Sequence, residues 1–246
     1  MIAIGSRSHA ERTRRDRVYR DGSIWKKSEW MLGDRDQALS PTVFLIEQPA
    51  DRTLPAHFHH NNQFQIFVGG AGKIGARPTE PVTVHYAGAY TAYGPISAGE
   101  QGVQYFTLRS RFEEGGVYVS DAKGKWPDGP RRHATSKPVP LRSADALRDL
   151  GAIETSVVIP RADDGLAVDC HMLPPEAGVP AMLPDVAAGI FLFVLQGELC
   201  IGDVTLAKHE SMFVSADEAM PSGVAGPQGV QFLALAIPQR DPAYAG

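Results

Sequence analysis

The chain has 246 residues, of which 43% are hydrophobic, 25 are glycine and 19 are proline. This length allows two small domains, and the many Gly and Pro residues are typical of short strands joined by tight turns. A formal net charge of −4 gives no reason to expect a nucleic-acid partner. Only two cysteines, no visible secretory signal and apolar runs far too short to span a bilayer lead us to expect a cytoplasmic protein without a membrane partner.

The first 41 residues are predicted to form an N-terminal arm ahead of the first folded domain. Residues 12–20 are locally basic, which fits a solvated or subunit-crossing arm better than a nucleic-acid contact. Residues 24–32 carry apolar side chains suited to packing on a barrel or on a partner subunit.

The next segment, 57–70, carries the strongest chemical signal. His57 and His59 are separated by one residue, so on a strand both side chains point to the same face. Gln63 follows His59 by four residues and keeps that parity. Two imidazoles on one face can bind one metal ion. A polar surface loop is the alternative, but three histidines in four residues directly before an apolar strand favour the metal site.

These residues resemble the first motif of the cupin superfamily, which reads His-x-His, three or four residues, Glu, six residues, Gly. His57, His59, Gln63 and Gly70 match this spacing. Gln63 departs from it chemically, because a neutral amide oxygen is a weaker ligand for a divalent cation than a carboxylate. The resemblance implies a jelly-roll (double-stranded β-helix) barrel that holds a divalent metal ion such as Fe, Mn, Ni or Zn.

The second cupin motif usually supplies a further ligand histidine near a Pro-containing turn. The matching region, 88–96, has Tyr93 at that position. A phenol can ligate iron, donate a hydrogen bond or simply pack in the barrel wall. His85, on a neighbouring predicted strand, is the other candidate for a third ligand, and both alternatives stay open.

An internal repeat determines the expected domain organisation. Residues 97–108 recur as 224–235, and 65–70 recur as 192–197, both at an offset of 127. With the cupin resemblance, the repeat implies an all-β bicupin, two tandem barrels behind the N-terminal arm 1–41. The first barrel is predicted at 42–120 and the second at 154–246. The connector 121–153 is predicted to contain one short helix with Ser143 as its N-cap.

The second barrel is predicted to have lost its site. The offset of 127 places Pro184, Val186, Ile190 and Met220 at the positions of His57, His59, Gln63 and Tyr93. None of these four side chains is a useful ligand for a hard or borderline cation. We therefore expect an apolar, metal-free second barrel.

Two classes of function remain open. The resemblance implies a metal-dependent enzyme, foremost a non-haem dioxygenase-type oxidoreductase acting on a small organic substrate, because a few imidazoles leave coordination positions open. The alternative is a non-catalytic small-molecule binding or sensory cupin, which the residues at 63 and 93 favour. A homodimer is expected from the resemblance alone. If the protein is an oxygenase, the pocket around His57 and His59 is expected to be lined by Phe58 or Phe64, Phe67, Tyr93 and Tyr105 in some combination.

Overall fold

The computed structural model describes residues 1–19, 21–123, 126–182 and 187–244. The protein is nearly all β, as predicted, and its strands pair antiparallel. It divides into two compact units. The N-terminal unit comprises Ser8–Pro138 and Arg240–Gly246, and the C-terminal unit comprises Met1–Arg7 and Val139–Gln239.

The elements up to residue 135 are, in chain order, β1 (Ile2–Gly5), α1 (Arg7–Thr13), β2 (Arg15–Val18), β3 (Ile24–Leu32), β4 (Thr42–Gln48), β5 (Thr53–Leu54), β6 (His57–Phe58), β7 (Gln63–Ile74), β8 (Arg77–Thr79), β9 (Thr83–Ala87), β10 (Ile96–Arg109), β11 (Val117–Tyr118) and β12 (His133–Thr135). The elements that follow are α2 (Ala144–Arg148), β13 (Glu154–Ile159), β14 (Ala167–Leu173), β15 (Ala187–Ile201), β16 (Val204–Leu206), β17 (Ser211–Ser215), β18 (Gly223–Pro238) and a short 3₁₀ turn at Pro242–Tyr244.

The two units contain sheets with the same strand order. In the described part of the N-terminal unit the order is β12-β9-β7-β10-β4-β3-β2, with β5 on β10, β8 on β7 and a separate β6–β11 pair. The C-terminal sheet has the order β1-β17-β15-β18-β14-β13, with β16 on β15. The run β9-β7-β10-β4-β3 therefore corresponds strand by strand to β17-β15-β18-β14-β13.

Two pairs of glycines confirm the register of 127 residues. Gly70 and Gly197 have φ values of 66° and 76°, a conformation that L side chains rarely adopt. A Cβ on Gly70 would collide with the carbonyl oxygen of Gly102, and one on Gly197 would collide with that of Gly229. The same backbone crossing thus occurs once in each unit, at the positions that the repeat predicts.

The segment expected to be an arm is instead built into the two sheets. β1 pairs with β17 in the C-terminal unit, whereas β2 and β3 extend the N-terminal sheet beyond β4. The cause is the long apolar β3, which buries Trp30 and Met31 when it pairs along β4. The predicted separate arm, 1–41, is therefore divided between the two units. The predicted barrels 42–120 and 154–246 each gain strands from it.

The connector contains the predicted short helix. Ser143 has extended backbone angles, and its hydroxyl accepts a hydrogen bond from the Ala146 N–H, which makes it the N-cap of α2. Leu147 on this helix is fully buried. Across the described ranges, no helix is both long and apolar enough to cross a membrane.

The C-terminal unit contains a large buried hydrophobic cluster. Leu192, Val194 and Phe232 are fully buried in one hydrophobic cluster that also contains Ile190. Met220 packs against the same cluster. Four positions were predicted to have lost their ligands. Ile190 and Met220 are described and apolar, whereas Pro184 and Val186 lie outside the described residues.

Candidate functional site

The N-terminal unit contains an open cavity of about 530 Å³. This volume is within the usual range for small-molecule sites, which are mostly lined by apolar and aromatic side chains around a few polar groups. The cavity is more polar than this pattern, because its wall combines aromatic side chains with charged ones, among them Lys27, Arg109 and Glu113. Its aromatic lining consists of Tyr19, Trp25, Phe44, Tyr93, Tyr105 and Tyr118.

His57 and His59 converge on this cavity, as their spacing predicts. Both imidazoles are buried, with 6% and 7% exposure, and their ring centroids lie 5.4 Å apart. The strand β6 holds His57 beside Tyr93, because the two residues exchange backbone hydrogen bonds of 3.0 and 3.1 Å. Gln63 starts β7 and is buried next to them.

A buried arginine, which the sequence reasoning missed, lies among these side chains. Arg109 ends β10, is 3% exposed and donates from Nε to Gln63 Oε1 at 2.9 Å. An arginine side chain only donates hydrogen bonds, so this contact fixes the orientation of the Gln63 amide. The Gln63 Nε2 group then donates to the Tyr93 hydroxyl at 2.6 Å.

The chain of hydrogen bonds continues to His57. The Tyr93 oxygen accepts from Gln63, so its own proton points to His57 Nε2, 2.8 Å away. His57 Nδ1 lies 2.8 Å from the carbonyl oxygen of Pro55, which only accepts. In its neutral Nδ1–H tautomer, His57 donates to the Pro55 carbonyl oxygen and accepts from the Tyr93 hydroxyl. Each hydrogen bond from Arg109 to Pro55 therefore has an assigned donor and acceptor.

His59 is held by the same arginine from the other side. Its Nδ1 lies 3.1 Å from the carbonyl oxygen of Gly115, so Nδ1 carries the proton. Arg109 Nη2 lies 3.0 Å from His59 Nε2 and 3.1 Å from His59 Nδ1, so it contacts both ring nitrogens. Burial, together with the charge of Arg109, lowers the pKa of His59 to about 3, so the imidazole is neutral at pH 7.

Burial also favours the neutral forms of the other ionisable groups of the site. It lowers the pKa of His57 and raises that of Tyr93, so the imidazole and the phenol are both neutral. Burial also lowers the pKa of Arg109, but a guanidinium stays protonated in proteins. The Arg109 guanidinium therefore lies among a neutral phenol, a neutral amide and two neutral imidazoles.

A loop between β10 and β11 covers the two histidines. Glu113 on this loop accepts hydrogen bonds from the His60 backbone N–H at 3.0 Å and from Asn61 Nδ2 at 3.2 Å. Burial opposes its ionisation, but its hydrogen bond with His59 and the charge of Arg109 outweigh that and lower the pKa of Glu113 to about 2. A Cβ on Gly116 would lie 2.9–3.0 Å from both imidazoles, so only glycine lets the loop pass this close.

His85, the alternative third ligand, is not brought to the histidine pair. Its ring packs 5.4 Å from that of Tyr93, and its Nδ1 lies 2.8 Å from the hydroxyl of Thr135. Burial lowers the pKa of His85 to about 3. His85 is absent from the lining of the cavity within the described part of the chain, so Tyr93 is the candidate that reaches His57.

The residues expected to bind a metal do not fit a divalent cation in this arrangement. The Nε2 atoms of His57 and His59 face the Tyr93 hydroxyl and the Arg109 guanidinium, and Gln63 Oε1 also accepts from Arg109. A fixed positive charge in contact with the donor atoms opposes a second cation. Over the ranges 1–19, 21–123, 126–182 and 187–244, no group of three His, Cys, Asp or Glu side chains is placed to hold a metal.

The repeat contains the signal that could have identified Arg109. At the offset of 127, the inward positions Gln63, Gln65, Thr107 and Arg109 correspond to Ile190, Leu192, Ala234 and Ala236. All four C-terminal residues are buried and apolar. Burying a polar side chain costs free energy unless it is hydrogen-bonded, so polar side chains at positions that are apolar in the other repeat indicate a site. The aromatic prediction was partly right: Tyr93 and Tyr105 line the cavity, whereas the lining does not include Phe58, Phe64 and Phe67.

Comparisons with known proteins support the fold. No protein-family model matches the chain, and no curated protein matches its sequence. Among solved structures, the chain resembles oxalate decarboxylase from Bacillus subtilis, with 12% identity and a TM-score of 0.62 over 97% of this chain and 78% of that one. It also resembles the pirin YhhW of Escherichia coli in complex with nickel(II), with 12% identity and a TM-score of 0.55 over 97% and 99%. Both are cupin-fold proteins, and the chain has the cupin fold that its motif predicts.

Proposed function

We propose that the N-terminal unit binds a small organic anion, a carboxylate attached to a flat apolar body. The observation that carries this proposal is the buried guanidinium of Arg109, which lines the cavity and contacts His59 and Gln63. Gln63 and His59 are both neutral partners, so they satisfy N–H groups without cancelling the charge.

Arg109 retains donors for such a ligand. A guanidinium has five N–H groups. Its contacts use Nε for Gln63 and Nη2 for His59, and a long contact of 3.4 Å joins Nη1 to the backbone oxygen of Glu113. In the described part of the chain, Arg109 forms no ion pair with a carboxylate. The ionised Glu113 interacts with the charge of Arg109 without a direct ion pair, and a ligand carboxylate would add direct charge-assisted hydrogen bonds to the remaining N–H groups.

The aromatic part of the cavity wall favours an apolar body with a flat shape. Tyr19 and Trp25, on either side of the turn between β2 and β3, stack with ring centroids 5.6 Å apart. Phe44 lies below Lys27, whose Nζ is 4.0 Å from the ring centroid, and Arg109 lies 5.5 Å from the same ring. Aromatic walls around a buried cation suit a ring that carries a carboxylate.

Calorimetric titration with benzoate and benzamide, which have the same shape and different charge, tests this function. We expect the protein to bind benzoate and to bind benzamide far more weakly. Arg109→Gln should weaken benzoate binding by about 10- to 150-fold, because it removes a charge-assisted hydrogen bond of about 1.5–3 kcal/mol. Arg111→Gln, at an exposed position two residues further on, is the matched control and should bind like the unaltered protein.

Acetate and succinate extend the panel to aliphatic carboxylates. Equal affinity for benzoate and benzamide, full benzoate affinity in Arg109→Gln, or no binding of any carboxylate would each contradict the proposal.

A metal-dependent oxidoreductase of the dioxygenase type is the second candidate. Two neutral imidazoles converge in the cavity, which is the protonation state that metal ligands need, and one fold neighbour was solved with nickel(II). This function requires the Arg109 guanidinium to leave His59 and Gln63 when a metal enters. Oxygen uptake by Fe(II)-loaded protein with diketones, phenols or thiols, lost in His59→Ala, would support it over the anion-binding function.

A further inference from the structure

We propose that the guanidinium of Arg109 is a tethered substitute for a metal ion, and that the donor atoms around it form a latent metal site. In this account the native protein works without a divalent cation, because its own side chain supplies the positive charge at that position. The inference does not depend on which ligand the cavity binds.

The donor atoms that the spacing assigns to a metal converge on this arginine. His59 Nε2 lies 3.0 Å from Arg109 Nη2, and Gln63 Oε1 lies 2.9 Å from Arg109 Nε. His57 Nε2 reaches the same group through the Tyr93 hydroxyl and the Gln63 amide. A neutral imidazole nitrogen and an amide oxygen are ligands for a divalent metal and acceptors for an N–H group, so one set of atoms can serve either cation.

The amide at position 63 fits the arginine better than a carboxylate would. A Glu at this position would form a buried ion pair with Arg109 and cancel the charge that the site contains. Gln63 accepts the Nε–H with its oxygen and donates to Tyr93 with its nitrogen, which a carboxylate cannot do. Gln63, which stands where the metal motif has Glu, is therefore suited to its hydrogen-bond partner Arg109.

The other repeat provides an internal comparison. In the C-terminal unit the position equivalent to Arg109 is Ala236, and the position equivalent to Gln63 is Ile190. These two residues pair across β15 and β18, and both are buried. Gln63 and Arg109 occur together in the N-terminal repeat, and apolar residues replace both of them in the C-terminal repeat. This joint replacement indicates that Arg109 and Gln63 function as a pair.

Titration of tag-free protein with Co²⁺, followed by calorimetry and by the visible spectrum of the ion, tests the inference. The unaltered protein should show no stoichiometric Co²⁺ binding. Arg109→Gln and Arg109→Met should each bind one Co²⁺ per chain, at least about 100-fold more tightly than the unaltered protein, which is about 2.7 kcal/mol. The new site should disappear when His57→Ala or His59→Ala is added.

Two further variants separate loss of charge from loss of fold. Arg109→Lys retains a cation and should remain unable to bind Co²⁺, whereas Arg111→Gln should behave like the unaltered protein. Circular dichroism verifies that each variant folds. If Arg109→Met fails to fold, Arg109→Gln still tests the inference, because its side-chain amide retains N–H groups for Gln63 and His59. Stoichiometric Co²⁺ binding by the unaltered protein through His57 and His59, or a folded Arg109→Gln that binds no Co²⁺, would overturn the inference.

Discussion

Tyr93 shows at the scale of one residue how the site is held together. Its hydroxyl accepts from Gln63 and donates to His57, so a single oxygen joins two buried polar side chains. Tyr105, in the same interior, is also fully buried, but its hydroxyl has no hydrogen-bond partner among the described residues. Two buried phenols in one cavity wall thus have opposite energetic roles.

This difference predicts opposite responses to the same mutation. Tyr93→Phe leaves an N–H of Gln63 and the Nε2 of His57 buried without partners, and should lower the free energy of unfolding by about 1–3 kcal/mol. Tyr105→Phe removes a hydroxyl that has no partner and should be neutral or slightly stabilising. Urea unfolding of both variants measures the effect. Equal losses would show that the hydrogen-bond chain contributes nothing specific.

At the scale of elements, the loop between β10 and β11 determines how closely the histidine pair is covered. Gly115 supplies the carbonyl oxygen that fixes His59, and its own Cα faces open space. Gly116 lies directly over both imidazoles. The loop is anchored by Glu113 through His60 and Asn61, so it cannot simply move outward.

Neighbouring alanine substitutions in this loop should therefore differ sharply. Gly116→Ala places a methyl group 2.9–3.0 Å from ring atoms of His57 and His59, and such overpacking costs about 1–3 kcal/mol. We expect lower stability and weaker benzoate binding. Gly115→Ala has no atom within 4 Å of the new methyl group and is the matched control. If Gly115→Ala impairs binding as much as Gly116→Ala, the loop does not act through the histidine rings.

At the scale of the whole molecule, one chain contains the same strand order twice and uses the copies differently. The C-terminal repeat has apolar residues at the positions equivalent to Gln63, Gln65, Thr107 and Arg109, whereas the N-terminal repeat buries these polar and charged side chains. The N-terminal repeat also contains several histidines held neutral by burial, among them His59 and His85, whose pKa values fall to about 3. Stability should therefore depend on pH.

The sign of this dependence follows from proton linkage. Below about pH 6.5 an unfolded imidazole takes up a proton, but these folded ones do not until about pH 3, so acid favours unfolding across this window. Each such histidine should cost about 2 kcal/mol at pH 5 relative to pH 7.5. His85→Gln should lose less stability than the unaltered protein over that interval, as measured by urea unfolding at both pH values. An identical loss would contradict the assignment of His85 as a buried neutral group.

The sequence predicts what depends on local spacing. His57 and His59 converge as their one-residue spacing suggests, although β6 ends at Phe58 and His59 lies just beyond it. The paired glycines follow from the repeat. Arg109 was missed because it lies 46 residues from Gln63, and only the pairing of β7 with β10 brings the two together. Residues 24–32 join the N-terminal barrel, one of the two alternatives left open, because an apolar segment alone does not specify which strand it pairs with.

The most direct test of a built-in cation in place of a metal is elemental analysis of the native protein, purified without a His tag and without added metal. We predict no stoichiometric transition metal and no loss of thermal stability when a chelator is added. One metal ion per chain, removed by the chelator and missing from His57→Ala and His59→Ala, would contradict the account.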